Sequence, residues 1–157
     1  SGGYRSVSQA DGEIRCMLLP LREGRLLLPN AVVAEIIGYR TPDPLAHMAT
    51  WLQGRVNWHQ RSILVIDFER MLGRPDVGSG VRQRIAVCYA LNPDDGLPLL
   101  GLVAQGIPRL LRVNREVIES ARSGPPGDSP IRMTLWVSGE ELMVPDIDYL
   151  QARLPTL

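Results

Sequence analysis

Short apolar runs dominate the chain, and Gly, Pro, Asn and Asp separate each run from the next. Many of the runs are rich in β-branched residues, which favour extended backbone. The pattern predicts ten strands, near residues 13–21, 25–29, 31–38, 54–58, 62–66, 81–91, 97–103, 107–113, 131–137 and 141–144. Ten strands within 157 residues indicate an all-β fold.

Helices are predicted only as short pieces between these strands. Two of them follow Asp67 and Asp146, each of which stands where a helix N-cap is expected, with a side chain that accepts from the first free amides. Two further pieces are predicted at 46–53 and 115–121.

The two halves of the chain resemble each other. Superposing Asp67 on Asp146 aligns "SILVIDFERML" with "ELMVPDIDYLQ", so that apolar positions and the capping aspartate coincide. A hairpin and a capped helical turn at the end of each half predict two small barrels of about five strands. Within one domain over 1–157 we expect lobes at 22–73 and 81–145, joined by the Gly-rich stretch 73–80 and crossed by the terminal segments.

Composition narrows the functional classes. Hydrophobic residues make up 45% and charged residues 22% of the chain, and the formal net charge is zero. These values argue against disorder, and the zero charge argues against broad electrostatic binding to nucleic acid or an anionic bilayer. No apolar run has the roughly 18 residues of a membrane-spanning helix.

The reactive residue types point away from catalysis. All seventeen basic residues are arginine, which removes Schiff-base lysines and the lysine of a phosphate loop. Cys16 and Cys88 lie in apolar runs and are predicted to be buried free thiols of a cytoplasmic protein. His47 and His59 lack further ligands at a zinc spacing. Asp67 could act as a general acid, but capping explains it with fewer assumptions, so we predict no enzyme, cofactor or metal.

The remaining candidate function is a binding surface. Three tryptophans stand out among few aromatic residues, at Trp51, Trp58 and Trp136. Large amphipathic rings anchor either a core or an interface. Periodicity favours the core for Trp136, whereas Trp58 lies beside a turn, where both readings stay open.

The stretch "VAEIIGYRTPDPLAHMATWLQGRVNWHQRSILVIDF" resembles the CheW-like domain family of bacterial chemosensory coupling proteins. Val33, Glu35, Ile36, Gly54, Asn57 and Asp67 stand at places that match the family pattern, and Gly101 and Val103 match in the second half. The resemblance covers about 14–153. It implies two SH3-like five-stranded barrels that share an apolar interface.

The resemblance also implies partners. Family members bridge the regulatory domain of a CheA-type histidine kinase and the cytoplasmic tip of chemoreceptors, and some contact other CheW-like proteins. Carried over to this chain, it implies a non-enzymatic adaptor recruited to receptor arrays. The partner-contacting residues would be Val33, Glu35, Ile37, Asn57, Trp58, His59 and Gln60. The run "LLLPNAVVAEIIGYR" is similar to adaptors of the ChpC type, which serve type IV pili and twitching motility.

Three departures from the family pattern bear on partner choice. Trp58, His59 and Gln60 replace Leu-Arg-Gly, and Gln105 replaces an aspartate. Histidine is shorter than arginine and as a residue type titrates near neutrality, so its pairing with Glu35 is expected to be weaker and sensitive to pH. Gln60 lacks the conformational freedom of glycine, so the turn is expected to be rebuilt. An auxiliary module that binds a receptor or another adaptor without activating the kinase is the alternative function.

Overall fold

The computed structural model describes residues 12–76, 81–90 and 98–156, which form two curled sheets. Their strands are β1 (Glu13–Pro20), β2 (Arg25–Pro29), β3 (Val33–Gly38), β4 (Leu52–Trp58), β5 (Arg61–Ile66), β6 (Arg84–Tyr89), β7 (Leu99–Ala104), β8 (Arg109–Asn114), β9 (Ile118–Ser123), β10 (Ile131–Val137) and β11 (Glu140–Pro145). The helices are a 3-10 turn (Asn30–Val32), α1 (Phe68–Met71) and α2 (Ile147–Ala152).

Each sheet encloses its own core. Barrel 1 has the strand order β3-β6-β7-β5-β4, and barrel 2 has the order β8-β1-β2-β11-β10-β9. The barrel 1 core includes Ile63, Val65, Ile85, Val87 and Val103. The barrel 2 core includes Cys16, Leu18, Leu27, Leu135 and Leu142. The shared core between the barrels includes Leu19, Leu26, Leu28, Phe68, Leu100 and Leu150. This arrangement confirms the predicted all-β fold of two barrels with a shared apolar interface.

The two halves of the chain exchange their first hairpins. Barrel 1 combines β3, β4 and β5 with β6 and β7 from the second half, whereas β1 and β2 lie in barrel 2 beside β11. Each exchanged hairpin joins its sheet through one antiparallel pair, β3·β6 or β1·β8, and one parallel pair, β5·β7 or β2·β11. The sheets therefore differ from the expected lobes 22–73 and 81–145, because each barrel draws strands from both.

Burial on two faces explains the exchange. In β2, Leu27 faces the barrel 2 core while Leu26 and Leu28 face the shared core. In β6, Ile85 faces the barrel 1 core while Ala86 faces the shared core. A strand that is apolar on both faces must lie inside a layered structure, where both faces are removed from water.

The internal repeat is confirmed at the end of each half. Asp67 accepts a hydrogen bond from the backbone amide of Arg70 at 3.2 Å, and Asp146 accepts from that of Tyr149 at 3.0 Å. The two caps have nearly the same backbone angles, φ −94° and ψ 102° against φ −89° and ψ 97°. Both aspartates are N-caps as predicted.

Two predicted helices are absent, and pairing explains why. The piece predicted at 46–53 is a turn that leads into β4, and the carbonyl of Trp51, just before that strand, accepts from the backbone amide of Asp67 at 2.8 Å. The piece predicted at 115–121 is a turn followed by β9, which pairs with β10. Its polar sequence is compatible with a helix, but ladder hydrogen bonds to β10 override that weak preference. Residues 91 and 97 of the predicted strands and 77–80 of the predicted joint lie outside the described residues.

Both cysteines are buried free thiols, as predicted. Burial raises the pKa of Cys16 to about 11 and that of Cys88 to about 12. Because the thiolate is the reactive form, both side chains are inert at neutral pH.

Asp67 offers a test of the buried cap. Burial raises the pKa of Asp67 above its ordinary 3.8, with Glu69 adding to the rise and the capping amide of Arg70 opposing it. A raised pKa in the folded state means that the stability linked to this group is present below pH 3.8 and is lost as pH rises through the raised value. Asn caps as well as Asp. We therefore expect Asp67→Asn to match or exceed the wild type at pH 7 and to lose that advantage toward pH 4.

Urea denaturation between pH 4 and pH 8 measures this difference. Asp67→Ala is the control, because it removes the cap together with the titrating group and should be about 1 kcal/mol less stable than Asp67→Asn at every pH. If Asp67→Asn loses as much stability as Asp67→Ala at pH 7, the charge stabilises the fold and the prediction is wrong.

Candidate partner-binding surface

The two edge strands of barrel 1 meet, and local contacts close the barrel. The backbones of Asp43 and Arg55 exchange two hydrogen bonds of 2.8 and 2.9 Å. The Tyr39 hydroxyl donates to Gln53 Oε1 at 3.0 Å. Nη2 of Arg40 donates to the Asn57 carbonyl at 2.7 Å. Contacts between residues that follow β3 and residues of β4 therefore replace the ladder that the sheet lacks there.

We call the line along which these two edge strands meet the seam. At its far end lies the Glu35–Trp58–His59 cluster. Oε1 of Glu35 accepts from the indole Nε1 of Trp58 at 3.0 Å and lies 3.4 Å from Nε2 of His59. The two rings meet edge to face, with centroids 4.5 Å apart and an interplanar angle of 89°. One carboxylate oxygen from β3 thus holds both rings at the end of β4.

The seven residues predicted to contact partners fall into two groups. Val33 and Ile37 are half-buried and pack on the shared core and the barrel 1 core respectively, and Trp58 is half-buried against the barrel 1 core. Exposed are Glu35, Asn57, His59 and Gln60. Trp58 therefore fits both the core and the interface reading that the sequence leaves open. Its ring packs against the barrel 1 core, while its neighbours Asn57 and His59 face solvent.

The CheW-like domain model matches residues 15–153. The chain belongs to the CheW-like domain family. Its structure is similar to that of the scaffolding protein TtCheW from Thermoanaerobacter tengcongensis, with a TM-score of 0.71 and 15% sequence identity over 87% of this chain and 86% of that chain. A comparison with curated protein sequences finds no match. At this identity the structural likeness establishes the fold.

This CheW-like chain has a left-handed turn without glycine. His59 and Gln60 have φ of 46° and 63°, between the paired residues Trp58 and Arg61. Two left-handed residues form the primed turns that match the twist of a hairpin. The turn therefore has the positive φ that glycine would allow, and the side chain of Gln60 stands in it at a conformational cost.

Gln60→Gly should relieve this strain. We expect a gain of up to about 1 kcal/mol in the free energy of unfolding, because glycine adopts positive φ without a Cβ penalty. The matched control is Gly139→Gln in the equivalent turn of barrel 2, where Ser138 and Gly139 have φ of 53° and 78°. The midpoint of thermal denaturation should rise for Gln60→Gly and fall for Gly139→Gln. A lower midpoint for Gln60→Gly would show that the side-chain amide of Gln60 makes a stabilising contact.

The seam also contains residues that sequence patterns did not single out. Tyr39, Arg40 and Gln53 are scattered along the chain and carry no motif. Burial raises the pKa of Tyr39, and the charges of Asp67 and Asp76 raise it further, so the hydroxyl stays protonated and can donate to Gln53. Only the closure of the barrel brings these residues together.

Within the described ranges, no three His, Cys, Asp or Glu side chains are grouped as a metal site requires. Asp67 is buried and its carboxylate caps α1. Among the helices of the same residues, none has the length and apolar character needed to cross a membrane. The groups exposed at this site are the side chains of Glu35, Asn57, His59 and Gln60.

Proposed function

We propose that the protein is a non-enzymatic adaptor that couples chemoreceptors to a CheA-type histidine kinase, in chemotaxis or in the control of type IV pili and twitching motility. Membership of a family of scaffold proteins supports this function. The observation that carries it is the Glu35–Trp58–His59 cluster. It presents exposed groups at the turn where the family pattern places its most specific motif.

An adaptor needs a second surface, and barrel 2 offers one. Leu110 is 67% exposed and Ile107 is 61% exposed, at the edge strand β8 and just before it. Beside them Arg15 and Arg112 face each other directly across β1 and β8. Like charges opposite one another repel, and a partner with apolar and acidic groups would relieve that repulsion while covering the exposed leucine.

Titration of the full chain against two purified partners tests the proposal. One is the regulatory domain of a CheA-type kinase, and the other is a chemoreceptor cytoplasmic tip. We expect dissociation constants below tens of micromolar for both. His59→Asn keeps a residue that tolerates the left-handed turn, and Leu110→Ser removes the apolar anchor. Each substitution should raise the dissociation constant for one of the two partners at least tenfold, while the circular dichroism spectrum stays unchanged.

Arg132→Gln is the control for both titrations, because Arg132 is exposed on β10, which three strands separate from β8 and which belongs to the other sheet from the Glu35–Trp58–His59 cluster. Absence of binding to kinase and receptor alike would disprove the adaptor function. The replacement of Leu-Arg-Gly by Trp58, His59 and Gln60 favours a second candidate, an auxiliary module that binds a receptor or another adaptor only. Receptor binding without kinase binding would identify that function.

A further inference from the structure

A groove lies on barrel 1 at the opposite end of β4 from the 59–60 turn. We name it the loop groove; it has a volume of about 550 Å³ and lies between the loop before β4 and the chain that follows α2. Its principal lining residues are Leu45, Met48, Trp51, Leu52, Arg55 and Arg153. Neither the resemblance nor the Glu35–Trp58–His59 cluster accounts for it.

The floor of the loop groove is apolar and anchored. Trp51 is half-buried and packs against the shared core, while its carbonyl accepts from the amide of Asp67 at 2.8 Å. Leu52 is buried at the start of β4. The amide of Leu45 donates to Sδ of Met48 at 3.1 Å, which orients the thioether in the loop. A partner would therefore meet a preformed surface, and little ordering would be needed to bind it.

The rim of the loop groove carries positive charge without a compensating acid. Arg153 lies over the ring of Tyr149, 3.4 Å from its centroid, and donates to the Tyr149 carbonyl at 3.1 Å. Arg55 is exposed on β4. Within 12–76, 81–90 and 98–156, neither guanidinium forms an ion pair, and Asp43 meets Arg55 only through the backbone.

We propose that the loop groove docks an acidic, apolar segment of a partner protein. Arg binds carboxylates bidentately, and Trp, Met and Arg are enriched at protein interfaces. The apolar side chains of the segment would rest on Trp51 and Met48, while its carboxylates would meet Arg55 and Arg153. Nucleic acid does not fit, because the chain has zero net charge and the floor is apolar.

This contact is separate from the surfaces of the proposed adaptor function. Arg55 belongs to the same strand as Trp58, but the loop that lines the groove precedes β4 whereas the 59–60 turn follows it. The chain would then hold a third partner segment while the Glu35–Trp58–His59 cluster stays free. Failure of one binding site therefore does not imply failure of the other.

Selection from a displayed library of random 12-residue peptides tests the proposal. The wild-type protein is immobilised, and binding of recovered peptides is then measured by fluorescence anisotropy. We expect recovered peptides that combine Asp or Glu with large apolar residues, and whose affinity falls at least tenfold with Arg55→Gln or Met48→Ser. Arg132→Gln is the matched control, since it removes an exposed arginine from β10 of barrel 2, and it should leave affinity unchanged.

Four results would overturn the proposal. Recovered peptides could lack acidic residues, or could bind Arg55→Gln and Met48→Ser as tightly as the wild type. Self-association that Arg55→Gln abolishes in sedimentation experiments would instead assign the groove to a second copy of the chain. Recovery of no binding peptide at all would show that the groove docks no short segment. Met48 lies on the groove surface rather than in a core, so Met48→Ser should fold normally. Circular dichroism checks that its fold is intact.

Discussion

Gly54→Ala is expected to lower the free energy of unfolding by at least about 3 kcal/mol, because it combines a backbone conflict with a steric one. Gly54 has φ +129°, a region that residues with a Cβ rarely adopt. A Cβ at this position would overlap the carbonyl oxygen of Asp43 and lie 2.7 Å from its carbonyl carbon. Relief of that overlap would break the Asp43–Arg55 backbone bonds that close barrel 1.

Gly73→Ala separates the two contributions. Gly73 has φ +83°, and no atom of the described residues lies within 4 Å of the position that a Cβ would take, so alanine there meets only the conformational penalty. That penalty is about 1 kcal/mol. Urea denaturation followed by circular dichroism measures both variants. Equal losses would mean that the loop around Asp43 moves away freely and that the close approach is unimportant.

Glu69→Ala is expected to cost about 3 kcal/mol, since it removes a buried carboxylate with three partners. Glu69 is only 4% exposed. It accepts from the amides of Arg22 and Glu23 at 2.8 and 3.2 Å, and from Nη1 of Arg74 at 2.9 Å. Loss of the side chain would leave two turn amides without their acceptor and Arg74 without its counter-charge.

The hydrogen bonds of Glu69 join the two barrels, so their loss would weaken the contact between the barrels as well as the local turn. Glu69 belongs to α1, which follows barrel 1, whereas Arg22 and Glu23 form the turn between β1 and β2 of barrel 2. The carboxylate of Glu69 therefore links the β1–β2 hairpin of barrel 2 to the helix that follows barrel 1. The aligned residue of the second half, Asp148, is exposed, so this link is specific to the first half.

Glu140→Ala is the control for Glu69→Ala. The Glu140 carboxylate pairs with Arg25 at 2.9 Å, the same distance as in the pair of Glu69 and Arg74. The side chains of Glu140 and Arg25 are, however, both substantially exposed. Exposed pairs contribute about 0 to 1 kcal/mol. Chemical denaturation should therefore separate the variants clearly. A small loss in both would show that water replaces the partners of Glu69 without cost.

Local features of the fold were predictable because local sequence carries them. Strands β1, β2, β10 and β11 lie within a residue or two of their predicted bounds, since alternating or continuous apolar runs end at turn residues. Asp67 and Asp146 were identified as caps because an aspartate at that position satisfies free amides within three residues. The strand β9 was missed because most of its side chains are exposed, so no apolar pattern marks it.

The candidate site was only partly predictable. The matching motif singles out Glu35 and Asn57, which lie on the edge strands β3 and β4 of barrel 1, and it predicts that His59 pairs with Glu35 more weakly than arginine would. That Trp58 donates to the same carboxylate oxygen depends on the meeting of two edge strands. Tyr39, Arg40 and Gln53 act only through that closure, and a buried Glu69 carries no signal in a polar helical turn.

By itself, the sequence determined the all-β class, the repeated hairpin with its capped helical turn, and the burial of the two thiols, because each depends on a few neighbouring residues. Tertiary structure alone decided which half supplies each strand, since β2 and β6 are apolar on both faces and pair wherever both can be buried. It also decided how barrel 1 closes, because contacts between Glu35 and Trp58 or Asp43 and Arg55 join residues that only the curvature of the sheet brings together.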